Sequence, residues 1–194
     1  MDVLKLTAKP NYLTFLSLFY FMTAIFIFGF GSSYQELGIK GEKTFTVSNS
    51  LEYGRTEYIV TCLSISFFFT YLLLKKKGLH YVNTRLILLF ISFVFLILLC
   101  WYTPTKYNDI HNIFTGIIIV SLISFLILTY YNLYMYYKKY ITYISIFLFI
   151  LVTAMFIIGL NSIEKGDIYT DIFAVLELIL IFVYIYTIIL IGLC

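Results

Sequence analysis

Residues 169–177 read YTDIFAVLE and open an apolar run in which Glu177 is the last charged residue of the chain. A carboxylate within such a run is costly in hydrocarbon, so it is expected to face protein or water and to have a polar partner. Helical rise sets Glu177 ~9 Å beyond Asp171, inside the outer third of a membrane. The stretch therefore predicts a last membrane helix, Ile172–Leu193, with one ionisable group turned inward.

The composition excludes a water-soluble globular protein. The 194 residues are 62% hydrophobic and only 12% charged, with a mean hydropathy of +0.98, whereas soluble domains carry about 25% charged residues. Two prolines and the lack of a long polar tract leave no room for a separate soluble domain. We therefore expect one integral membrane domain over residues 1–194. The net charge of +3 is small and reports orientation, so no nucleic-acid partner is expected.

Apolar runs of about spanning length predict a bundle of six membrane helices. Their expected bounds are 12–30, 58–74, 86–102, 113–137, 140–160 and 172–193. With the N-terminus in the cytosol, eight of the Lys and Arg residues fall on the inner side (Lys5, Lys9, Lys75, Lys76, Lys77, Arg85, Lys138 and Lys139). Five fall outside (Lys40, Lys43, Arg55, Lys106 and Lys165). The positive-inside rule then places both termini in the cytosol.

The connections between the predicted helices differ on the two sides. The inner loops are short and basic, around Lys75–Lys77 and Lys138–Lys139, while the largest outer loop is Gly31–Glu57. Within that loop Thr44–Val47 alternates polar and apolar residues, which is typical of a short strand or hairpin. The predicted fold is therefore an all-α six-helix bundle with a small loop cap on its outer side.

Most of the unusual polar residues gather at the outer ends of the predicted helices. Such a cluster either recognises a lipid head group or forms a solvated rim. His111 and Glu177 are distinct because each lies at or below the membrane interface, and they are the candidates for catalysis. The candidates for lipid binding are Ser48, Glu57, Asp109, His111 and Glu177.

Two kinds of catalytic site are disfavoured. A zinc hydrolase needs about three protein ligands, but the chain has only His80 and His111, which the topology places on opposite sides. A Ser48–His111–Glu177 triad lacks the Gly-x-Ser-x-Gly turn that would expose its serine. No metal or cofactor is expected, and the three cysteines are expected to pack as small apolar side chains.

Three stretches and the spacing of the six spans resemble one protein family. The stretches are TVSNSLEYGRTEYIV (46–60), DIHNIFTG (109–116) and IYTDIFAVLELILI (168–181). In this pattern the chain is similar to the DRAM/FRAG/SFK family of six-span membrane proteins, also called the Cwh-type N-terminal domain family. The positions that match are Ser48, Glu57, His111, Ala174 and Glu177. The chain departs from the family in three ways. Arg55-Thr56 stands where the family has a proline, and a second proline is missing ahead of Ser48. The loop cysteines of several members are also missing.

The resemblance implies work on lipids or in membrane traffic. Its most specific form is remodelling of the lipid of glycosylphosphatidylinositol (GPI) anchors at the lumenal leaflet of the Golgi or endoplasmic reticulum. The expected location is an endomembrane (Golgi, endoplasmic reticulum or lysosome) in preference to the plasma membrane. The partner would then be a membrane lipid, either a GPI anchor or a phospholipid. A non-enzymatic modulator of autophagy or membrane signalling is the alternative, and a small-molecule transport subunit is a second. Whether the chain catalyses a reaction is left open by its sequence.

Overall fold

A computed structural model describes residues 11–30, 56–78, 81–102, 104–165 and 167–193. These residues are helical apart from short turns, and no strand occurs among them. The helices are α1 (Tyr12–Met22), which continues as a π-helix over Thr23–Phe30, α2 (Thr56–Lys77), α3 (Val82–Leu99), α4 (Pro104–Lys165) and α5 (Asp167–Leu193). The predicted strand at Thr44–Val47 and the loop cap around it lie outside the described residues.

Within the described ranges, four helical segments are long and apolar enough to cross a membrane, fewer than the six predicted. They are Thr56–Lys77, Val82–Leu99, Asp109–Tyr134 and Val175–Leu193. Two further apolar helices, Tyr12–Ile27 and Ile146–Met155, fall within the first and fifth predicted spans but are shorter. Large apolar side chains such as Phe15, Val120 and Tyr131 point outward from the bundle, as expected for a surface in contact with lipid. These features indicate an integral, multi-pass membrane protein.

The helix α4 corrects one predicted boundary. A loop was expected at Lys138–Lys139, but the backbone is helical without a break from Pro104 to Lys165. The sequence offers no helix breaker there, because neither Gly nor Pro occurs between Ile117 and Ile158.

Contacts elsewhere show that α4 is not straight. Tyr130 in α4 hydrogen-bonds Thr187 in α5, yet α5 begins at Asp167, two residues after α4 ends. A straight helix would set Tyr130 and Lys165 ~52 Å apart, whereas Thr187 lies only ~30 Å along α5 from Asp167. α4 therefore does not run straight from Tyr130 to Lys165.

Side-chain contacts define the two ends of the bundle. Lys76 Nζ lies 5.6 Å from the centre of the Tyr12 ring, and Lys77 Nζ donates a hydrogen bond of 3.1 Å to the Gly192 carbonyl. The first turn of α1, the last turn of α2 and the last turn of α5 thus meet at one end, called here the basic end. At the opposite side, Glu57 lies in the first turn of α2 and Asp109 lies near the start of α4. We call that side the acidic end.

The interior combines apolar packing with short polar contacts between helices. The Tyr184 ring lies among Phe21, Phe93 and Phe125, with centroids 4.8, 6.5 and 6.3 Å away. Hydroxyl groups join α1 to α2 (Ser17–Thr70), α3 to α4 (Ser92–Ser121, 2.8 Å) and α4 to α5 (Tyr130–Thr187, 2.7 Å). Because lipid tails are as apolar as Leu side chains, close packing and such hydrogen bonds hold membrane helices together.

Candidate functional site

A cavity of about 80 Å³ opens between α1, its π-helical extension, α3, α4 and α5. Most of its lining is aliphatic or aromatic, including Phe21, Phe93 and Leu180. Ile25 from the π-helix forms part of the wall, and π-helical turns are rare and frequent at functional sites. The cavity is about half the size of an engineered protein cavity that binds benzene, so it accommodates a short apolar group.

Glu177 supplies the one carboxyl group among the lining residues. Its side chain is 9% exposed, and it faces the interior as the sequence predicted. The lining residues of α5 are Glu177, Leu180, Ile181 and Tyr184, a spacing of three, four and seven that defines one helix face. The expected neighbours Phe173 and Ala174 have side chains outside the described part of the structure.

Three hydroxyl-bearing residues line the same cavity. Ser92 and Ser121 share a hydrogen bond across α3 and α4, and Ser92 also donates to the Leu88 carbonyl. The Thr115 hydroxyl is buried and has no hydrogen-bond partner among the described residues. The third residue, Tyr184, is almost fully buried, with 1% of its surface exposed. The cavity therefore offers a few polar groups within walls that are otherwise apolar.

His111 lies one helical turn before Thr115 and is buried, with 4% of its surface exposed. Its Nδ1 is 3.0 Å from the Tyr102 carbonyl oxygen. Because a carbonyl can only accept, Nδ1 carries the proton of this hydrogen bond, and Nε2 is the basic atom of the neutral ring. Residues 111, 115, 118 and 122 follow the same helix face, and the last three line the cavity. His111 is thus buried on the helix face that leads to the cavity but does not itself line it, and direct contact between His111 and Glu177 stays a prediction.

The remaining candidates do not share this interior. Glu57 and Asp109 are exposed at the acidic end and do not line the cavity. Ser48 lies outside the described residues, and so does the side chain of Ala174. Among the described residues no three His, Cys, Asp or Glu side chains group closely enough to hold a metal ion.

Sequence reasoning did not identify Thr115, Ser92 or Tyr184 as parts of the site. A hydroxyl residue within an apolar run carries little hydropathy signal, so its helix face had to come from the structure. The spacing of Tyr184 from Glu177, seven residues along one helix, was the available signal.

Comparison with known proteins gave no match to a family model, to a curated protein or to a solved structure. The resemblance drawn from residues 46–60, 109–116 and 168–181 therefore stays an expectation.

Proposed function

We propose that this protein binds the hydrocarbon chain of a membrane lipid in the cavity beneath its acidic end, with Glu177 as the polar group that the bound lipid meets. The observation that carries the proposal is a buried carboxyl on the wall of an otherwise apolar cavity inside a membrane bundle. A cavity of about 80 Å³ suits the end of one acyl chain and not a whole lipid. An ionisable group at this depth is a mark of function in membrane proteins.

The proposal extends to how the chain crosses the membrane. We propose six passes with both termini in the cytosol. Support comes from α4, whose 62 residues are far more than one membrane crossing needs. The contacts of Lys76 with Tyr12 and of Lys77 with Gly192 at one end also support it. An even number of passes brings the first and last helices to the same side, and the lysines there favour the cytosol.

The family resemblance gives the proposal its most specific form. The lipid would be a GPI anchor or a phospholipid in the lumenal leaflet of an endomembrane, remodelled or only bound. In a remodelling reaction the Nε2 atom of His111 would act as a base, with Glu177 close by to hold or exchange a proton.

A photoactivatable phosphatidylcholine with a diazirine at its chain end tests the binding step. Labelling is expected on α4 and α5 peptides that line the cavity, such as those containing Thr115 and Leu180. Thr115→Leu fills part of the cavity and removes a hydroxyl that has no hydrogen bond among the described residues, so it should reduce this labelling at least severalfold. Val120→Leu adds bulk at an exposed position of the same helix and should leave labelling unchanged.

Equal labelling of cavity and outer surface in the unmodified protein would contradict lipid binding in the cavity. So would unchanged labelling of the cavity peptides in Thr115→Leu. Either result would favour a non-enzymatic role in which the polar rim at the acidic end is a docking surface.

A further inference from the structure

Arg85, in the first turn of α3, is buried at the basic end, far from the cavity. Its side chain is 0% exposed, and it is the largest fully buried side chain described. One terminal nitrogen, Nη2, donates a hydrogen bond of 3.3 Å to the Leu128 carbonyl of α4. That oxygen also accepts a hydrogen bond of 2.9 Å from the Asn132 amide. The acceptor that Arg85 uses is therefore an uncharged carbonyl oxygen that it shares with Asn132.

The other donors of Arg85 are unused. Nε and Nη1 are buried and have no hydrogen-bond partner in the part of the chain that the structure describes. A guanidinium keeps its charge at any pH a protein meets, so it does not escape burial by losing a proton. An unpaired buried charge is strongly destabilising, and this arrangement calls for an anion.

The chain supplies no such anion near Arg85 among the carboxylates whose side chains are described. Helical rise places Glu57 ~30 Å from Lys77 along α2 and Asp109 ~28 Å from Leu128 along α4. Glu177 is nearer, but it lies ~15 Å along α5 from Thr187, which marks the level of Tyr130. Each is beyond the reach of a salt bridge.

The N-terminus of α3 adds a second attraction for a negative group. Tyr81 precedes the helix in a left-handed conformation (φ 58°) and makes no side-chain capping hydrogen bond. The first N–H groups of a helix point outward and carry the positive end of its dipole. Uncapped N–H groups beside an arginine form a typical site for phosphate.

We propose that Arg85 and the N-terminus of α3 bind a phosphate group at the basic end of the bundle. The group comes either from the head group of an anionic phospholipid in the adjacent leaflet or from free phosphate. Exposed Lys75 and Lys76 at the same end concentrate anionic lipid there. Arg85 reaches the ligand by swinging its long side chain toward the surface, as arginines near helix ends do at membrane interfaces.

The experiment measures thermal stability of the full chain in dodecyl maltoside micelles free of phosphate. In one arm phosphatidylglycerol is added to the micelles, and in another inorganic phosphate replaces chloride at equal ionic strength. A ligand that binds only the folded protein raises the midpoint of unfolding. A rise with phosphatidylglycerol alone identifies a lipid head group, and a rise in both arms identifies a site open to free phosphate.

Arg85→Gln is expected to lower the affinity in the responding arm at least about tenfold, the loss of one charge-assisted hydrogen bond. Lys76→Gln removes one of the surface charges that concentrate anionic lipid at this end, and it should therefore lower the affinity far less than Arg85→Gln does. Without any anion, Arg85→Gln should be as stable as the unmodified protein or more so, because it removes an unpaired buried charge. A lower midpoint of Arg85→Gln in that condition would show that Arg85 acts through its present contacts and would overturn the proposal.

The proposal also fails if Arg85→Gln keeps the full response, or if neither arm shifts the midpoint of the unmodified protein. Should Arg85→Gln not fold, native mass spectrometry of the unmodified protein decides. Retention of phosphatidylglycerol after phosphatidylcholine has been stripped supports the site, and equal loss of the two lipids rejects it.

Discussion

Gly192, in the last turn of α5, tests how closely the first and last helices approach. A Cβ atom at this position would lie 3.0 Å from both Cβ and Cγ2 of Thr14, and closer still to the Thr14 hydroxyl oxygen. Thr14 is β-branched and has few alternative rotamers in a helix. Gly192→Ala therefore requires α1 and α5 to move apart or Thr14 to adopt a poor rotamer.

Two opposing effects set the magnitude. Overpacking of a close contact costs about 1–3 kcal/mol, while replacing a helical Gly by Ala returns at most about 1 kcal/mol. Subtracting the full gain leaves a net loss of up to about 2 kcal/mol. For a chain of this length that corresponds to a fall of up to about 8 °C in the midpoint of thermal unfolding.

The assay is thermal unfolding in detergent, with Gly116→Ala as the matched control. No atom lies within 4 Å of a Cβ built at Gly116, so that variant should be stabilised slightly. Thr14→Ala combined with Gly192→Ala should recover most of the loss, because the double variant removes both colliding groups. If Gly192→Ala raised the midpoint as Gly116→Ala does, the close approach of α1 and α5 would be refuted.

The remaining predictions concern the carboxyl and the topology. Glu177→Gln keeps shape and hydrogen bonding and should preserve the yield of folded protein, whereas Glu177→Leu should lose about 1–3 kcal/mol of stability by leaving a partner unsatisfied. Equal yields of folded Glu177→Gln and Glu177→Leu would contradict a hydrogen-bonded carboxyl at this position. Loss of lipid remodelling in a well-folded Glu177→Gln variant would show that the carboxyl takes part in the reaction. Single cysteines at Lys76 and Glu57, in a background without native cysteines, should react with impermeant maleimide from opposite sides of the membrane. Labelling of both from one side would contradict the proposed topology.

Much of the fold and part of the site followed from the sequence. The inward orientation of Glu177 was predictable because a carboxylate facing lipid tails is too costly. Arg85 was assigned to an inner loop, since hydropathy alone began the third helix at Leu86. The structure starts α3 at Val82 and thereby brings Arg85 inside the bundle. The prediction of a loop at Lys138–Lys139 was wrong, because the backbone is helical there. A pair of lysines does not interrupt helical hydrogen bonds.

By itself the sequence determined the integral membrane class, the helical class and the inward orientation of Glu177, because these depend on transfer of side chains and backbone out of water. Only the tertiary structure decided which polar groups share an interior. Thr115 comes to line one cavity with Glu177, and Arg85 comes to lie against Leu128, through contacts between helices that are distant along the chain. Hydropathy is a property of each residue alone, whereas a cavity or an unpaired charge is a property of how the helices pack together.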